Sequence, residues 1–284
     1  MIDLLHQKTS EIITQLGNSE SQGFLLTGSV ASNLPQVINK LSRLLIAANN
    51  EGQYQRNIIK IGPNDEDKIP KETIDRLLSD LKQKQSDLKR VVVIENLELL
   101  HINSYNAMLK SLEEPGQRTV FILTTTDPKR IPATVVSRLQ HVQIPALRHQ
   151  QIIQHFKESE LEQSDLRLLS YITEGDINLI AAAIEDKKLL KELMEVGQGA
   201  KAILSSDTYS RLILSRKFSK DRAKSKQYVK ALMAICSSAM RSTAGSNAKA
   251  QQWAGRIESL LEADRKLEIN VQPRLIIQQL MVQL

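Results

Sequence analysis

The sequence predicts an α/β domain followed by an all-helical half. Two observations carry the first part of this reading. Five short apolar runs alternate with amphipathic stretches along the first half. Several of these runs are apolar on consecutive residues, the pattern of strands covered on both faces of a parallel sheet. A third carries the rest: after Pro145 the strand pattern stops and only helical spacing continues. A length of 284 residues alone suggests roughly two domains.

The strand-like runs are residues 24–27, 58–61, 91–94, 120–123 and 141–144. Residues 34–48 carry apolar positions at helical spacing, as do residues 74–88, with Leu77, Leu78 and Leu81 on one stripe. Residues 104–113 form a third such stretch, stopped by Pro115 and Gly116. Residues 147–184 read as short helices broken near Gly175, and residues from about 187 onward as longer ones. Pro273 suits the first turn of a last helix, where no proline N–H is missed.

Composition narrows the function classes. The chain is 41% hydrophobic and 25% charged, ordinary for a folded protein. It lacks an unbroken apolar run of about 18 residues, so no membrane span is expected, and its start does not resemble a signal peptide. The single cysteine, Cys236, excludes a disulfide framework or a multi-cysteine zinc site and fits a reducing, cytoplasmic compartment. Aromatic residues make up only 4%, too few for a platform that stacks single-stranded bases. The net charge of +6 permits nucleic-acid or acidic-protein contact without specifying either. Its densest part is Arg211, Arg216, Lys217, Lys220, Arg222, Lys224, Lys226 and Lys230, opposed by Asp221. Such a run could contact phosphates, but charge runs usually form solvated helix faces, and that reading is preferred.

The run after the first strand bears on nucleotide chemistry. Phosphate-binding loops there read G-x-x-x-x-G-K-[ST], with backbone N–H groups, a lysine and a hydroxyl meeting phosphate and magnesium. Here Gly28 fits, but Asn33, Leu34 and Pro35 occupy the other three places. Leucine brings no charge, and proline neither hydroxyl nor N–H. Read alone, this is a strand–turn–helix with Ser32 or Asn33 as N-cap and Pro35 in the first turn. The third strand ends in Glu95-Asn96, where a magnesium-holding acid pair would stand, and asparagine cannot act as a general base.

Two further runs, NAMLKSLEEP (106–115) and FILTTTDPKRIPATVVSRLQ (121–140), resemble the bacterial clamp-loader branch of the AAA+ ATPases. The tail Asn270-Val271-Gln272-Pro273-Arg274-Leu275 is similar to the opening of that family's last collar helix. The resemblance implies a P-loop-type parallel sheet with helices on both faces (1–146), a small helical lid (147–188) and an all-α collar (189–284). It also makes the departures informative. The phosphate-loop places (Gly28, Asn33, Leu34, Pro35) and the acidic motif (Glu95, Asn96) are degenerate, and the lid's G-x-x-R arginine is replaced by Asn178. The sensor position Thr126 keeps its hydroxyl, and Ser137-Arg138 keeps the run that presents an arginine finger to a neighbour's ATP.

This combination resembles the delta-prime class, the fixed, non-hydrolysing member of the DNA polymerase III clamp loader. It implies no bound cofactor in this chain and ATP held by neighbouring subunits. The implied partners are gamma/tau and delta subunits, the sliding clamp and primer-template DNA. By place alone, Asn103, Ser104, Lys129 and Arg130 are candidate DNA contacts. Residues 47–58 carry no cysteine, so the zinc module of many relatives is absent. Three alternatives stay open: an active gamma/tau-like ATPase, a delta-like clamp-opening subunit and a free-standing DNA-binding protein.

Overall fold

The computed structural model describes residues 2–64, 68–81, 88–116, 118–243, 247–269 and 271–284. The chain divides into two compact units, Met1–Leu147 and Arg148–Leu284.

The first unit is built on five strands: β1 (Gly23–Thr27), β2 (Ile58–Ile61), β3 (Arg90–Ile94), β4 (Thr119–Thr125) and β5 (Gln140–Gln143). They pair in parallel in the order β2-β3-β4-β1-β5, with Gly23 opposite Phe121 and Arg90 opposite Thr119. Each apolar run expected to be a strand is one, within a residue or two. Successive residues point to opposite faces of a sheet, so each run feeds two cores. Phe24, Leu26, Val91, Val93 and Ile122 pack under α1 (Gln7–Gly17), α2 (Leu34–Ile46) and α3 (Glu51–Asn57). Leu25, Val92, Ile94, Phe121 and Leu123 pack under α4 (Lys71–Asp80), α5 (Ile102–Glu113) and α6 (Ala133–Val136). Burial on both faces explains why these strands show no polar alternation.

Two boundaries differ from expectation. Helix α2 stops at Ile46, because Ala47 turns left-handed (φ 50°) and its N–H caps the Arg43 carbonyl. Helix α4 begins three residues before Ile74, and residues 82–87 of the stretch expected to be helical lie outside the described residues.

The second unit comprises α7 (His149–His155), α8 (Gln163–Ile172), α9 (Ile177–Glu185), α10 (Lys187–Ser205), α11 (Thr208–Ser215), α12 (Arg222–Ser242), α13 (Asn247–Glu268) and α14 (Pro273–Gln283). Aspartates set several helix starts: Asp176, Asp186, Asp207 and Asp221 each accept backbone N–H bonds from the first turn. Glu174 (φ 52°) and Gly175 (φ 80°) break the chain between α8 and α9. Helix α8 packs against both α10 and α12, so residues expected to form a lid and a collar share this unit. Pro273 opens α14 as expected, while Asn270 of the quoted tail lies outside the described residues. Cys236 is fully buried, where burial pushes its thiol up to about 11, and it packs as a core residue.

The basic run in this unit is partly structural. Arg222 donates to the carbonyls of Leu267, Ile269 and Val271, capping the end of α13. Lys226 pairs with Glu268 at 2.6 Å, and Arg211 Nε donates to the Ile203 carbonyl at 3.1 Å. Arg216, Lys217, Lys220, Lys224 and Lys230 are exposed. Among the described residues no helix is long and apolar enough to cross a membrane.

Candidate functional site

The connection from β1 leads to the far edge strand β2, while β2 through β5 step back the other way. Open parallel sheets bind ligands outside the carboxyl ends of the strands where the order reverses in this manner. The loops after β1, β3 and β4 meet this rule.

The loop after β1 folds in on itself. Residues Val30–Ser32 form a 3₁₀ turn in which Ser32 N donates to Ser29 O at 2.9 Å and Asn33 N to Val30 O at 3.3 Å. Ser32 Oγ donates to the Ile144 carbonyl at 3.0 Å and is buried. A Cβ on Gly28 would lie 2.7 Å from that Oγ, so the close approach of Ser32 requires glycine there. A phosphate cradle needs several N–H groups aimed at one centre. Here the N–H groups of Ser32 and Asn33 bond the loop's own carbonyls, and Pro35 has none.

Asn33 is the backbone N-cap of α2, but its side chain does not cap the helix, contrary to expectation. It adopts a left-handed conformation (φ 50°, ψ 48°), tolerable for asparagine, and its Nδ2 donates to the carbonyls of Ile2 and Leu4, both at 3.0 Å. Gln36 Nε2 reaches Asp3 at 3.0 Å and Lys40 Nζ reaches it at 2.6 Å. The Lys40 and Gln36 hydrogen bonds hold the Asp3 carboxyl below its usual range. Leu34 and Leu5 pack against the same core. The first residues of the chain are thus stitched along the start of α2 by Asn33, Gln36 and Lys40.

After β3, Glu95 is half-buried and Asn96 is left-handed (φ 53°), its N–H donating to Thr124 Oγ1 at 3.2 Å. The acid that engages the sensor position is Glu98. Its Oε1 accepts from Thr126 Oγ1 at 2.8 Å and from Thr126 N at 3.3 Å. Burial raises the Glu98 carboxyl, but hydrogen bonds from Thr125 and Thr126 outweigh it and the net shift is downward. Tyr105 OH donates to the Leu97 carbonyl at 2.6 Å and fixes this loop; burial, with Glu98 nearby, pushes its phenol up to about 12.

Ser137 and Arg138 follow α6. Ser137 is exposed and its Oγ donates to the Thr134 carbonyl at 3.2 Å. Arg138 Nε donates to Glu113 Oε1 at 2.7 Å, Nη2 bonds the same oxygen, and Nη1 donates to the Thr134 carbonyl at 2.6 Å. The Arg138 side chain keeps 30% exposure. Leu139 is buried against Gly23.

Of the candidate DNA contacts, Asn103, Lys129 and Arg130 are exposed. Ser104 is corrected: it is fully buried, because α5 turns it into the protein one residue after the exposed start. Asn178 lies in the second unit, its N–H held with that of Leu179 by Asp176. Among the described residues no cluster of His, Cys, Asp or Glu has the makings of a metal site. Sequence reasoning missed Glu98 and Glu113 as partners of Thr126 and Arg138. Glu113 lies inside the run 106–115 and Glu98 three residues after Glu95, but only the fold brings them to partners 28 residues (Glu98) and 25 residues (Glu113) along the chain.

Comparison with known proteins places the chain in a family. The family described as "DNA polymerase III, delta subunit" matches residues 7–148, half of the chain. The DNA polymerase III subunit tau of Bacillus subtilis (strain 168) is 35% identical over 97 residues, 34% of this chain and 16% of that one. The subunit tau of Escherichia coli (strain K12) is 36% identical over 96 residues, 31% of this chain and 15% of that one. The subunit delta' of B. subtilis is 31% identical over 97 residues, 34% of this chain and 28% of that one. The matches therefore span less than a third of these relatives' length. A crystal structure of a DNA polymerase III gamma subunit-related protein from Thermotoga maritima matches with a TM-score of 0.61. It covers 97% of this chain and 98% of that one at 15% identity, which shows a shared fold.

Proposed function

We propose, from the premise that the chain belongs to the DNA polymerase III delta-subunit family of AAA+ clamp-loader proteins, that it is a delta-prime-like subunit. It does not hydrolyse ATP itself. It completes a pentameric loader that places the sliding clamp on primed DNA, and it supplies Arg138 to the ATP of a neighbouring gamma/tau subunit. The observation that carries this reading is the closed loop after β1. Two of its N–H groups bond loop carbonyls, and Leu34 and Pro35 stand where charge and hydroxyl belong. A triphosphate there would find few donors and no lysine.

Arg138 supports the role in trans. A guanidinium has five N–H donors and cannot lose its charge, which suits it to a transferring phosphoryl group. The exposed Asn103, Lys129 and Arg130 are the proposed DNA contacts, and the exposed Tyr209, Ile213, Leu275 and Val282 offer an apolar collar face for other subunits. The helical half serves as lid (147–188) and collar (189–284) in this reading.

An active gamma/tau-like ATPase is the second reading, favoured by the higher identity to tau than to delta' in B. subtilis. Over 97 residues, 35% against 31% is a difference of about four residues. The substitutions at Leu34, Pro35, Asn96 and Asn178 weigh against it. A delta-like clamp opener would not need the retained Ser137-Arg138. The test is reconstitution with gamma/tau and delta chains. Arg138→Ala is expected to leave assembly intact and lower clamp- and DNA-stimulated ATP hydrolysis at least tenfold. Unchanged hydrolysis refutes the finger role.

A further inference from the structure

We infer that Glu113 is a positioning residue for Arg138, holding the guanidinium ready for a neighbour's phosphoryl group. This rests on the finger reading given above and adds a second residue to it.

The geometry is that of a built mount and not a chance surface pair. Glu113 follows Leu112, and Arg138 stands between Val135 and Leu139 in the next turn and loop; all three neighbours belong to one buried cluster. Both ends of the ion pair are therefore anchored to the same core through adjacent residues. The hydrogen bonds divide the donors of the guanidinium. Nε and Nη2 bond Glu113 Oε1, and Nη1 bonds the Thr134 carbonyl. Three of five donors are occupied and two are left to meet an anion. The Nε and Nη2 bonds converge on one oxygen, and the Nη1 bond to the Thr134 carbonyl supplies the second point that orients the group.

An arginine without such a mount has many rotamers to lose when it engages a phosphate. Fixing it beforehand removes that loss from the reaction step, an effect on the order of tenfold in rate. Glu113 touches neither nucleotide nor reacting atoms, so its effect appears in turnover and not in nucleotide affinity.

The experiment uses the full chain in a loader reconstituted with gamma/tau, delta, sliding clamp and primed DNA. Steady-state ATP hydrolysis is measured for Glu113→Ala, Glu113→Gln, Arg138→Ala and the double variant. The inference predicts that Glu113→Ala lowers kcat about tenfold while KM for ATP stays within about twofold. Glu113→Gln recovers most of the loss, because the amide oxygen still accepts from Nε. The double variant is no slower than Arg138→Ala alone. Glu113→Ala at wild-type rate or faster, with Arg138→Ala impaired, overturns the inference while leaving the finger reading intact. Additive losses in the double variant overturn it too. An unimpaired Arg138→Ala removes the finger reading and this inference together.

Discussion

The loop after β1 and the edge after α6 sit on one sheet, yet they treat their polar groups in opposite ways. At residues 28–36 the groups turn inward: Ser32 and Asn33 bond the loop, Ile144 and the first residues of the chain. At residues 137–138 the arginine stays at the surface, fixed by Glu113 and Thr134 with two donors to spare. On the proposed reading the loop binds no nucleotide and satisfies its own polar groups, because buried donors left unpaired are costly. A group that serves a neighbouring subunit has to stay accessible and oriented. The contrast teaches that two sequence runs on one domain can differ in where their hydrogen bonds lead as well as in their letters.

The contrast can be broken most directly by one substitution at each place, read in the same reconstituted loader. Arg138→Ala is expected to lower stimulated hydrolysis at least tenfold, while Leu34→Lys leaves it within about twofold of wild type. A large loss in Leu34→Lys alone would mean that the loop still takes part in the cycle. A smaller effect concerns the closure of the loop. Asn33→Ala places alanine in a left-handed conformation and removes two hydrogen bonds to Ile2 and Leu4. It is expected to destabilise the protein by about 2–3 kcal/mol in urea unfolding and to expose the N-terminus to protease. A change under about 0.5 kcal/mol would show that the stitching contributes little.

The smallest effect lies at the sensor. The Glu98 carboxyl is depressed in the folded protein from an ordinary value near 4.5. Its contribution is therefore present above that value and is lost as pH falls through the lower folded value. Glu98→Gln should cost about 1 kcal/mol at neutral pH, after allowance for solvent access, and the gap to wild type should close under acid. A gap that is constant with pH would remove the charge from the explanation.

Much of the fold was legible in the sequence. The consecutive apolar residues of 91–94 and 120–123 announced strands covered on both faces, and Pro273 marked the start of α14. Local patterns of this kind record local causes. The site was legible only in part. Leu34 and Pro35 could be read as losses because their chemistry is wrong for phosphate wherever they sit. The roles of Glu98 and Glu113 depend on contacts across 28 and 25 residues, which no local pattern encodes. Ser104 differs for a local reason: one step along α5 separates an exposed start from the core. The basic run 211–230 likewise looked uniform, though Arg222 and Lys226 serve the end of α13.

Central to the account is a chain that gives an arginine to a neighbour's ATP and binds none itself. Titration of magnesium-ATP into the full isolated chain, followed by calorimetry, tests this most directly. The closed loop predicts no saturable binding up to about 1 mM, the range where binding free energy falls to about 4 kcal/mol. A stoichiometric site with a Kd near 1 μM, about 8 kcal/mol, would contradict it and return the chain to the active ATPases.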